Sequence, residues 1–256
     1  MSGPPPLPGA RWRRVRSASA DFSAGEKPDP RRWEPRNPWF AGRPPCLFSP
    51  RLVSCAGGEL RLGAEETAHA PDSSRRFLTS ILRSRARYGY GYYEASIRTM
   101  AAGVCNAFWL YDPLPPSAKH RPGGFSEEID IVEIFGRATN PADSGIAFHT
   151  VHRLATPYFE ARSNGGVCAL PDKSARVTLW FDPAAGFHDY GLLWTPEELR
   201  WYVDGRETFR RRNDFYHRPL RIMLDCEIML AWDGLPRAAD LPAQMRVRRV
   251  AHWKLA

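Results

Sequence analysis

The chain has 256 residues, of which 43% are hydrophobic and 25% are charged, and it contains 24 prolines and 20 glycines. This composition is typical of a folded soluble protein, and the many turn-forming residues favour short strands over long helices. The formal charge of +8 comes mainly from clustered arginines without a zinc-finger or RNP-like pattern, which argues against nucleic-acid binding and leaves an acidic polymer or a solvated basic surface.

The amino-terminal residues differ in composition from the rest of the chain. Residues 1–20 are rich in proline and arginine and lack periodic apolar positions, so we expect an extended or disordered lead-in before one folded domain over residues 21–256. This lead-in has no apolar stretch of roughly 7 to 15 residues, as a signal peptide requires. No apolar run in the chain is long enough to span a bilayer. Residues 28–50, rich in proline and aromatic residues, are expected to pack over a surface or to rim a site.

The remainder alternates apolar and polar residues with the period of β-strands. Strands are predicted at 59–62, 88–98, 107–111, 129–134, 146–152, 188–195, 199–203, 220–228 and 245–255. Asp204-Gly205 indicates a hairpin turn, and only 236–244 has a helical pattern. Trp194 and Trp201 are expected in the core. Many short strands without βα alternation predict an all-β sandwich.

The cysteines show no spacing typical of a metal or redox site. They are Cys46, Cys55, Cys105, Cys168 and Cys226. Cys105 and Cys226 lie in apolar runs and are expected to be small core residues. A disulfide between Cys46 and Cys55 is compatible with the sequence but is not required by it.

Three carboxylates are spaced through one β-branched run, Glu128-Ile-Asp-Ile-Val-Glu133. Side chains alternate between faces in a regular strand, so Glu128 and Asp130 share one face and Glu133 points to the other. A β-bulge at Ile131-Val132 adds one residue and returns Glu133 to the face of the other two acids. We therefore predict that all three acids line one concave surface.

Such a group of acids has the chemistry that glycoside cleavage needs. Like charges at close range oppose simultaneous ionisation, so one carboxyl keeps a proton for the leaving oxygen while another attacks the anomeric carbon. Carboxyls about 5 to 5.5 Å apart make a retaining pair, which near neighbours on one strand face approach. The alternatives are an acidic edge strand, or a cation site built from the same oxygens, although calcium loops keep glycines and polar residues between their ligands.

The chain resembles glycoside hydrolase family 16, whose hallmark is E-x-D-x-(x)-E on a bulged strand. Segments 88–97, 107–110, 188–205 and 247–255 also resemble strands of that family, so the resemblance covers nearly the whole chain. It implies an all-β jelly-roll sandwich of two antiparallel sheets with a concave substrate cleft. It also implies that Glu128 is the nucleophile, that Glu133 is the general acid/base, and that Asp130 hydrogen-bonds the nucleophile and tunes the shared protonation.

Three segments resemble the β-agarase and porphyranase branch of this family. They are the W-x-G-R-x-P-x-x-F-like run at 39–50, the Phe-Trp-Leu-Tyr-Asp-Pro run at 108–113, and residues 219–227 followed by Trp232. The resemblance implies a retaining endo-hydrolase of β-linked galactans of the agarose or porphyran type. The alternatives are an endo-β-1,3-glucanase or carrageenan hydrolase of the same family, a transglycosylase, and a carbohydrate-binding protein without turnover.

Five further residues are candidates for contacts with sugar. Trp109 would stack on the apolar face of a pyranose, although its apolar surroundings fit a core position equally well. His152 resembles a cleft histidine of the family, or is a satisfied surface residue. Glu227 is expected to contact a sugar hydroxyl rather than to form an ion pair, and Trp232 follows it in the branch-specific segment. Arg43 either binds a hydroxyl or sulfate bidentately or braces its loop.

Two features depart from the family. Many members hold a structural calcium ion with an acid of the closing strand, where this chain has Arg248-Arg249, which puts a structural calcium in doubt; no other metal or cofactor is expected. Members that degrade polysaccharides are normally exported, so an extracellular location is implied although the sequence shows no signal peptide. The implied partner is a polysaccharide, namely a red-algal galactan, without nucleic acid or membrane, and the protein is expected to be a monomer.

Overall fold

A computed structural model describes residues 2–7, 9, 11–68, 74–113, 126–154 and 174–256, and Cys168 lies outside these residues. The described strands are β1 (Trp12–Arg14), β2 (Ala20–Asp21), β3 (Trp33–Glu34), β4 (Cys46–Phe48), β5 (Val53–Ala56), β6 (Glu59–Glu66), β7 (Phe77–Ser84), β8 (Gly91–Arg98), β9 (Cys105–Asp112), β10 (Ser126–Phe135), β11 (Ile146–Leu154), β12 (Ser174–Thr178), β13 (His188–Trp194), β14 (Glu198–Val203), β15 (Arg206–Arg212), β16 (Arg221–Glu227) and β17 (Ala243–Leu255). Short 3-10 turns lie at Arg16–Ala18, Phe22–Ala24, Pro50–Leu52, Pro141–Asp143 and Ala238–Asp240. The helical pattern at 236–244 therefore gives only one such turn, because the chain enters β17 at Ala243.

Two sheets are stacked face to face. The front sheet has the order β12, β11, β10, β9, β16, β7, β3, and all of these neighbours are antiparallel. The back sheet has the order β5, β6, β17, β8, β13, β14, β15, again antiparallel. Strand β6 also pairs with β7, which joins the sheets at one side, and the short strand β4 pairs with β7 in parallel. The all-β sandwich expected from the sequence is confirmed.

The amino-terminal residues extend the back sheet. Strand β17 pairs along one edge with β8. Along its other edge it pairs in turn with β6, β2 and β1. Part of the segment expected to be extended or disordered therefore pairs with the closing strand of the sandwich.

Apolar side chains of alternate strand positions fill the space between the sheets. Trp194 and Trp201 are fully buried there, as expected for core residues. Each large apolar side chain buried in this way contributes about 1.5 to 3 kcal/mol relative to exposure, so the inter-sheet core fixes the position of the front sheet.

The cysteines described by the structure are free thiols, so Cys46 and Cys55 form no disulfide. Cys226 lies in the inter-sheet core as expected, whereas Cys105 packs with Phe135 and Met229 in a smaller cluster. Within the described residues, none of the helices has the length and hydropathy needed to cross a membrane.

Candidate active site

The three acids of β10 lie on one face of the front sheet because the strand carries a bulge. On the β9 side, Asp130 and Val132 pair with consecutive residues, so that Ile131 is an extra residue. On the β11 side the register also shifts between Asp130 and Glu133. Ile131 and Val132 both pack into the inter-sheet core, and Glu133 returns to the outer face. The bulge predicted at Ile131-Val132 is confirmed.

The three acids differ in exposure. Glu128 and Asp130 are each only 4% exposed, whereas Glu133 is half-buried. A buried carboxylate loses much of its hydration, so its charge depends on hydrogen bonds and cations nearby. The face therefore offers two shielded carboxyl groups and one that is open to solvent and to an incoming substrate.

His152 of β11 lies beside the two shielded acids. Its Nε2 atom is 3.3 Å from Oδ2 of Asp130 and 3.8 Å from Oε1 of Glu128. In the antiparallel register His152 stands directly opposite Glu128, which explains the contact. The histidine proposed from the sequence as a cleft residue is thus brought beside the acids, at ion-pair distance from Asp130.

The same three side chains could hold a metal ion. One ligand atom from each of Glu128, Asp130 and His152 lies within 4.8 Å of the other two. Carboxylate oxygens with an imidazole nitrogen form a donor set that divalent transition metals accept. These three residues could therefore serve either a metal centre or a glycosidase site, and the effect of a chelator on activity distinguishes the two.

An aromatic pocket lies next to the acids on the outer face of the front sheet. It is lined by Asn37, Trp39, Phe40, Phe48, Trp109, Tyr111, Asp225 and Glu227. Trp109 is only 9% exposed, packs against Tyr111, and donates its indole N–H to Oδ1 of Asp225 at 3.0 Å. Trp39 lies under two guanidinium groups, with Arg83 4.9 Å and Arg221 5.6 Å from its ring centroid. The cavity itself measures only about 20 Å³, less than a sugar ring needs, so these side chains form a packed aromatic wall beside the acids.

Arg43 and Glu227 form one unit at the edge of the pocket. The backbone N–H of Arg43 donates to Oε1 of Glu227 at 2.7 Å, and its guanidinium lies 3.7 Å from Oε2. Glu227 therefore takes part in an ion pair, contrary to the interpretation that favoured a sugar hydroxyl over such a pair. The contact fixes the 39–50 segment against β16, which agrees with the bracing role considered for Arg43.

Trp232 lies apart from the aromatic pocket. Its ring packs edge-on against Phe135 at 5.0 Å and Phe148 at 4.6 Å, and it belongs to the cluster around Cys105 and Met229. It is half-buried and follows the end of β16. The structure thus places Trp232 near the Glu133 end of β10. Trp109 lies on β9, the strand that pairs with β10.

Two further acids, Asp225 and Glu227, lie on β16, which β9 separates from β10. Burial, reinforced by the nearby charges of Glu227 and Glu133, raises the pKa of Asp225 well above its usual range, although the hydrogen bond from Trp109 opposes this effect. Burial also raises the pKa of the Cys105 thiol, with Glu133 as the next cause. Burial and the neighbouring acids therefore favour the protonated form of Asp225.

The back sheet holds a separate buried charge cluster around Arg249. Its Nη2 atom lies 2.7 Å from Oε1 of Glu94, which is fully buried, and 3.6 Å from Oδ1 of Asp189. In the sequence this is the position where the family places an acid for calcium. A guanidinium here supplies positive charge to two acids, so these residues are not arranged as an all-oxygen cation site.

Asp225, Trp39 and Tyr111 were not among the site residues expected from the sequence, although residues 28–50, which include Trp39, were expected to pack over a surface or to rim a site. Asp225 lies two residues before Glu227, so period-two alternation puts both on one face of β16, and this signal was available. The stacking of Trp39 under Arg83 and Arg221 depends on contacts between distant segments, for which the sequence carries no local signal.

Comparison with known proteins shows the family and the fold of the chain. A family profile described as "Beta-porphyranase A-D, GH16 domain" matches residues 12–253. A xylanase/beta-glucanase of Ruminococcus flavefaciens is 30% identical over 222 residues, which cover 84% of this chain and 23% of that protein. The kappa-carrageenase of Pseudoalteromonas carrageenovora is 31% identical over 157 residues, covering 58% of this chain and 37% of its own length. This chain thus spans well under half of either relative.

Solved structures share the fold. The crystal structure of the beta-porphyranase BpGH16B from the human gut bacterium Bacteroides plebeius has a TM-score of 0.80 to this chain, with 21% sequence identity. The alignment covers 100% of this chain and 96% of that one. At such identity the similarity establishes the β-jelly-roll architecture and leaves chemistry to the site residues.

Proposed function

Because this chain belongs to glycoside hydrolase family 16, in the group of β-porphyranase A–D domains, we propose that it is a retaining endo-hydrolase of β-linked galactans. The observation that carries the proposal is the β10 bulge, which brings Glu128, Asp130 and Glu133 to one face beside an aromatic pocket. The family resemblance drawn from the sequence motifs is thereby confirmed. The activity and the substrate remain our inference from the site.

Glu128 and Glu133 divide the chemistry according to their surroundings. Glu128 is shielded and lies near His152, so it acts as the nucleophile that forms the glycosyl-enzyme. Glu133 is the more exposed of the two and is open to an incoming substrate, so it delivers the proton to the leaving oxygen and later activates water. Asp130 lies between them in the sequence, with its Oδ2 atom 3.3 Å from Nε2 of His152, and it influences the protonation of Glu128 through its charge.

The substrate class we propose is a red-algal galactan of the agarose or porphyran type. The matching profile is described as a β-porphyranase domain, and the 39–50 segment that resembles this branch closes over the pocket through Arg43 and Glu227. A galactan polysaccharide of this class is too large to enter a cell, so we also propose that the enzyme acts extracellularly. We propose further that it is a monomer. Carrageenan and β-glucan are the alternative substrates, since the two relatives named above are a kappa-carrageenase and a glucanase.

The test is a substrate panel. Wild type and the Glu128→Gln variant are incubated with agarose, porphyran, κ-carrageenan, laminarin and lichenan, and the reducing ends released are measured. Release from agarose or porphyran by wild type alone supports the proposal, and release from laminarin or carrageenan alone would replace it by the corresponding alternative. Binding without release from any polymer would indicate a carbohydrate-binding protein.

An activity assay after treatment with a chelator distinguishes a glycosidase site from a metal centre. Retaining hydrolysis by two carboxylic acids needs no metal ion. We therefore expect reducing-end release to be unchanged after dialysis against EDTA. Activity that is lost on chelation and restored by a divalent cation would instead assign Glu128, Asp130 and His152 to a metal site.

A further inference from the structure

Two buried side chains between the sheets form hydrogen bonds to backbone oxygens of the β10 bulge. Trp201 donates its indole N–H to the backbone oxygen of Asp130 at 2.9 Å. His149 Nδ1 lies 2.7 Å from the backbone oxygen of Ile131. A bulge interrupts the ladder and leaves its extra residue without a partner strand residue, so these two bonds fall at the irregular part of the strand.

The two donors are held rigidly. Trp201 comes from β14 of the back sheet, His149 comes from β11, and both are fully buried. A carbonyl oxygen only accepts, so Nδ1 of His149 carries the proton, and Nε2 lies 3.0 Å from the Thr208 hydroxyl, which also lies 3.3 Å from the backbone oxygen of Trp201. Burial lowers the pKa of His149 to about 4, so this neutral tautomer persists across the pH range in which most enzymes work.

We propose that Trp201 and His149 are positioning residues that lock the bulge and thereby hold Glu133 on the same face as Glu128 and Asp130. Neither side chain reaches the outer face, so both act through the backbone of β10. The proposal rests on the proposed glycosidase function for its kinetic test. Its physical basis is register: because side chains alternate along a strand, loss of the extra residue's conformation would turn Glu133 away from its partners.

Trp201→Phe and Trp194→Phe form a matched pair of variants. Trp194 is also fully buried and donates its indole N–H to a backbone oxygen, that of Tyr216, at 2.7 Å. Both substitutions therefore remove a buried N–H from a similar core site, and both are expected to lower the melting temperature alike. Only Trp201→Phe should lower kcat, by roughly 10²-fold, since displacement of a reacting group by about 1 Å has that cost.

The same variant should also change the pH profile. The limbs of kcat/KM against pH report the protonation of the acids in the free enzyme, and that protonation depends on their mutual distance. We expect Trp201→Phe to shift a limb with KM nearly unchanged, and Trp194→Phe to keep the wild-type profile. Equal kinetic effects of the two variants, or none from Trp201→Phe, would overturn the proposal.

His149 provides a second test by rescue, which holds even if Trp201→Phe fails to fold. His149→Leu removes the donor to Ile131, whereas His149→Asn keeps a donor close to the position of Nδ1. We expect kcat to fall in His149→Leu and to recover in large part in His149→Asn. Equal losses in both variants would reduce His149 to a packing residue.

Hydrogen exchange gives a readout independent of activity. Exchange of the backbone amides in residues 129–135, followed by mass spectrometry, should be faster in Trp201→Phe and unchanged in Trp194→Phe. If exchange is faster in Trp201→Phe but the wild type is inactive, the proposed function is overturned and the positioning role of Trp201 is retained. If exchange in Trp201→Phe is unchanged and the wild type is active, the positioning role is overturned and the proposed function is retained.

Discussion

The indole N–H of Trp109 donates to the Asp225 carboxylate at 3.0 Å, which ties β9 to β16 across the outer face of the front sheet. The bond fixes the plane of the tryptophan ring next to the acids of β10. It also holds Asp225 in a buried position near Glu227 and Glu133, where burial and these charges raise its pKa. The pocket therefore contains a carboxyl group that favours its protonated form.

This relationship predicts how stability changes with pH. The folded-state pKa of Asp225 lies above the value of about 3.9 in an unfolded chain. Its contribution to stability is therefore complete below that value and is lost as the pH rises through the folded pKa. Asp225→Asn keeps an acceptor for Trp109 but cannot ionise, so it does not lose stability as the pH rises. The melting temperature of the variant minus that of wild type should therefore increase from acidic to neutral pH. Thermal melts between pH 4 and 8 test this, and parallel curves would contradict it.

The nucleophile assignment predicts that Glu128→Gln loses activity and keeps its fold. The amide is nearly isosteric but forms no glycosyl ester, so kcat should fall by roughly 10⁴-fold or more. Circular dichroism and the melting temperature serve as the check on folding. An active Glu128→Gln variant would remove Glu128 from the chemistry.

The acid/base assignment has a separate test. Glu133→Ala should turn over an aryl glycoside slowly in water and faster with azide, because the aryl leaving group needs no general acid and the small anion needs no general base. The glycosyl azide formed should have the inverted configuration relative to the glycosyl-enzyme and therefore retain that of the substrate. Rescue at Glu128 instead of Glu133 would exchange the two roles.

The sequence allowed prediction of the acidic strand because its information is local. The spacing of Glu128, Asp130 and Glu133 conflicts with period two, and only a bulge resolves the conflict. Strand β7 (Phe77–Ser84) was not predicted, since nearly all of its residues are buried and it shows no alternation of apolar and polar residues. A strand covered on both faces carries no period-two pattern.

The supporting contacts of the site were beyond the sequence because they join distant segments. Glu227 was interpreted as a sugar contact, and its pairing with Arg43 follows from the fold of a loop 184 residues away in sequence. Trp201 was expected in the core, as it is, but its bond to Asp130 depends on which residues of the two sheets face each other. Such contacts are set by register and sheet packing, which one sequence does not display.

The buried pair of Arg249 and Glu94 predicts a large loss of stability on removal of the cation. Arg249→Met leaves Glu94 fully buried without its guanidinium partner, which should cost about 3 to 5 kcal/mol of unfolding free energy at neutral pH. Burial already raises the pKa of Glu94, so the cost should shrink at acidic pH, where that carboxyl takes up a proton. Arg248→Met, at the exposed neighbouring position, is the control, and urea denaturation at both pH values is the measurement. Equal losses from the two variants would contradict the prediction.

Glu227 and Trp232 are predicted to affect substrate binding without taking part in the chemistry. Glu227→Ala frees the Arg43 loop at the rim of the pocket, so KM should rise by the equivalent of about 1 to 3 kcal/mol while kcat changes little. Glu227→Gln keeps an acceptor for the Arg43 N–H and should show a smaller effect. Trp232→Ala tests the other end of the site in the same assay. A collapse of kcat with unchanged KM would move Glu227 into the catalytic group.

The arginine-rich surface predicts a difference in salt dependence between two substrates. Porphyran carries sulfate groups and agarose is neutral, so only porphyran gains long-range attraction from a protein of charge +8. That attraction is screened over about 10 Å at 0.1 M salt. We therefore expect kcat/KM on porphyran to fall with ionic strength more steeply than kcat/KM on agarose, both measured with the same wild-type preparation.

Arg13 and Arg14 are two exposed residues in a basic groove on the back sheet. A variant with both changed to glutamine should lose part of this difference in salt dependence if the general surface field is responsible. Equal salt curves on the two polymers would instead assign the arginines to a solvated surface without a role in substrate capture.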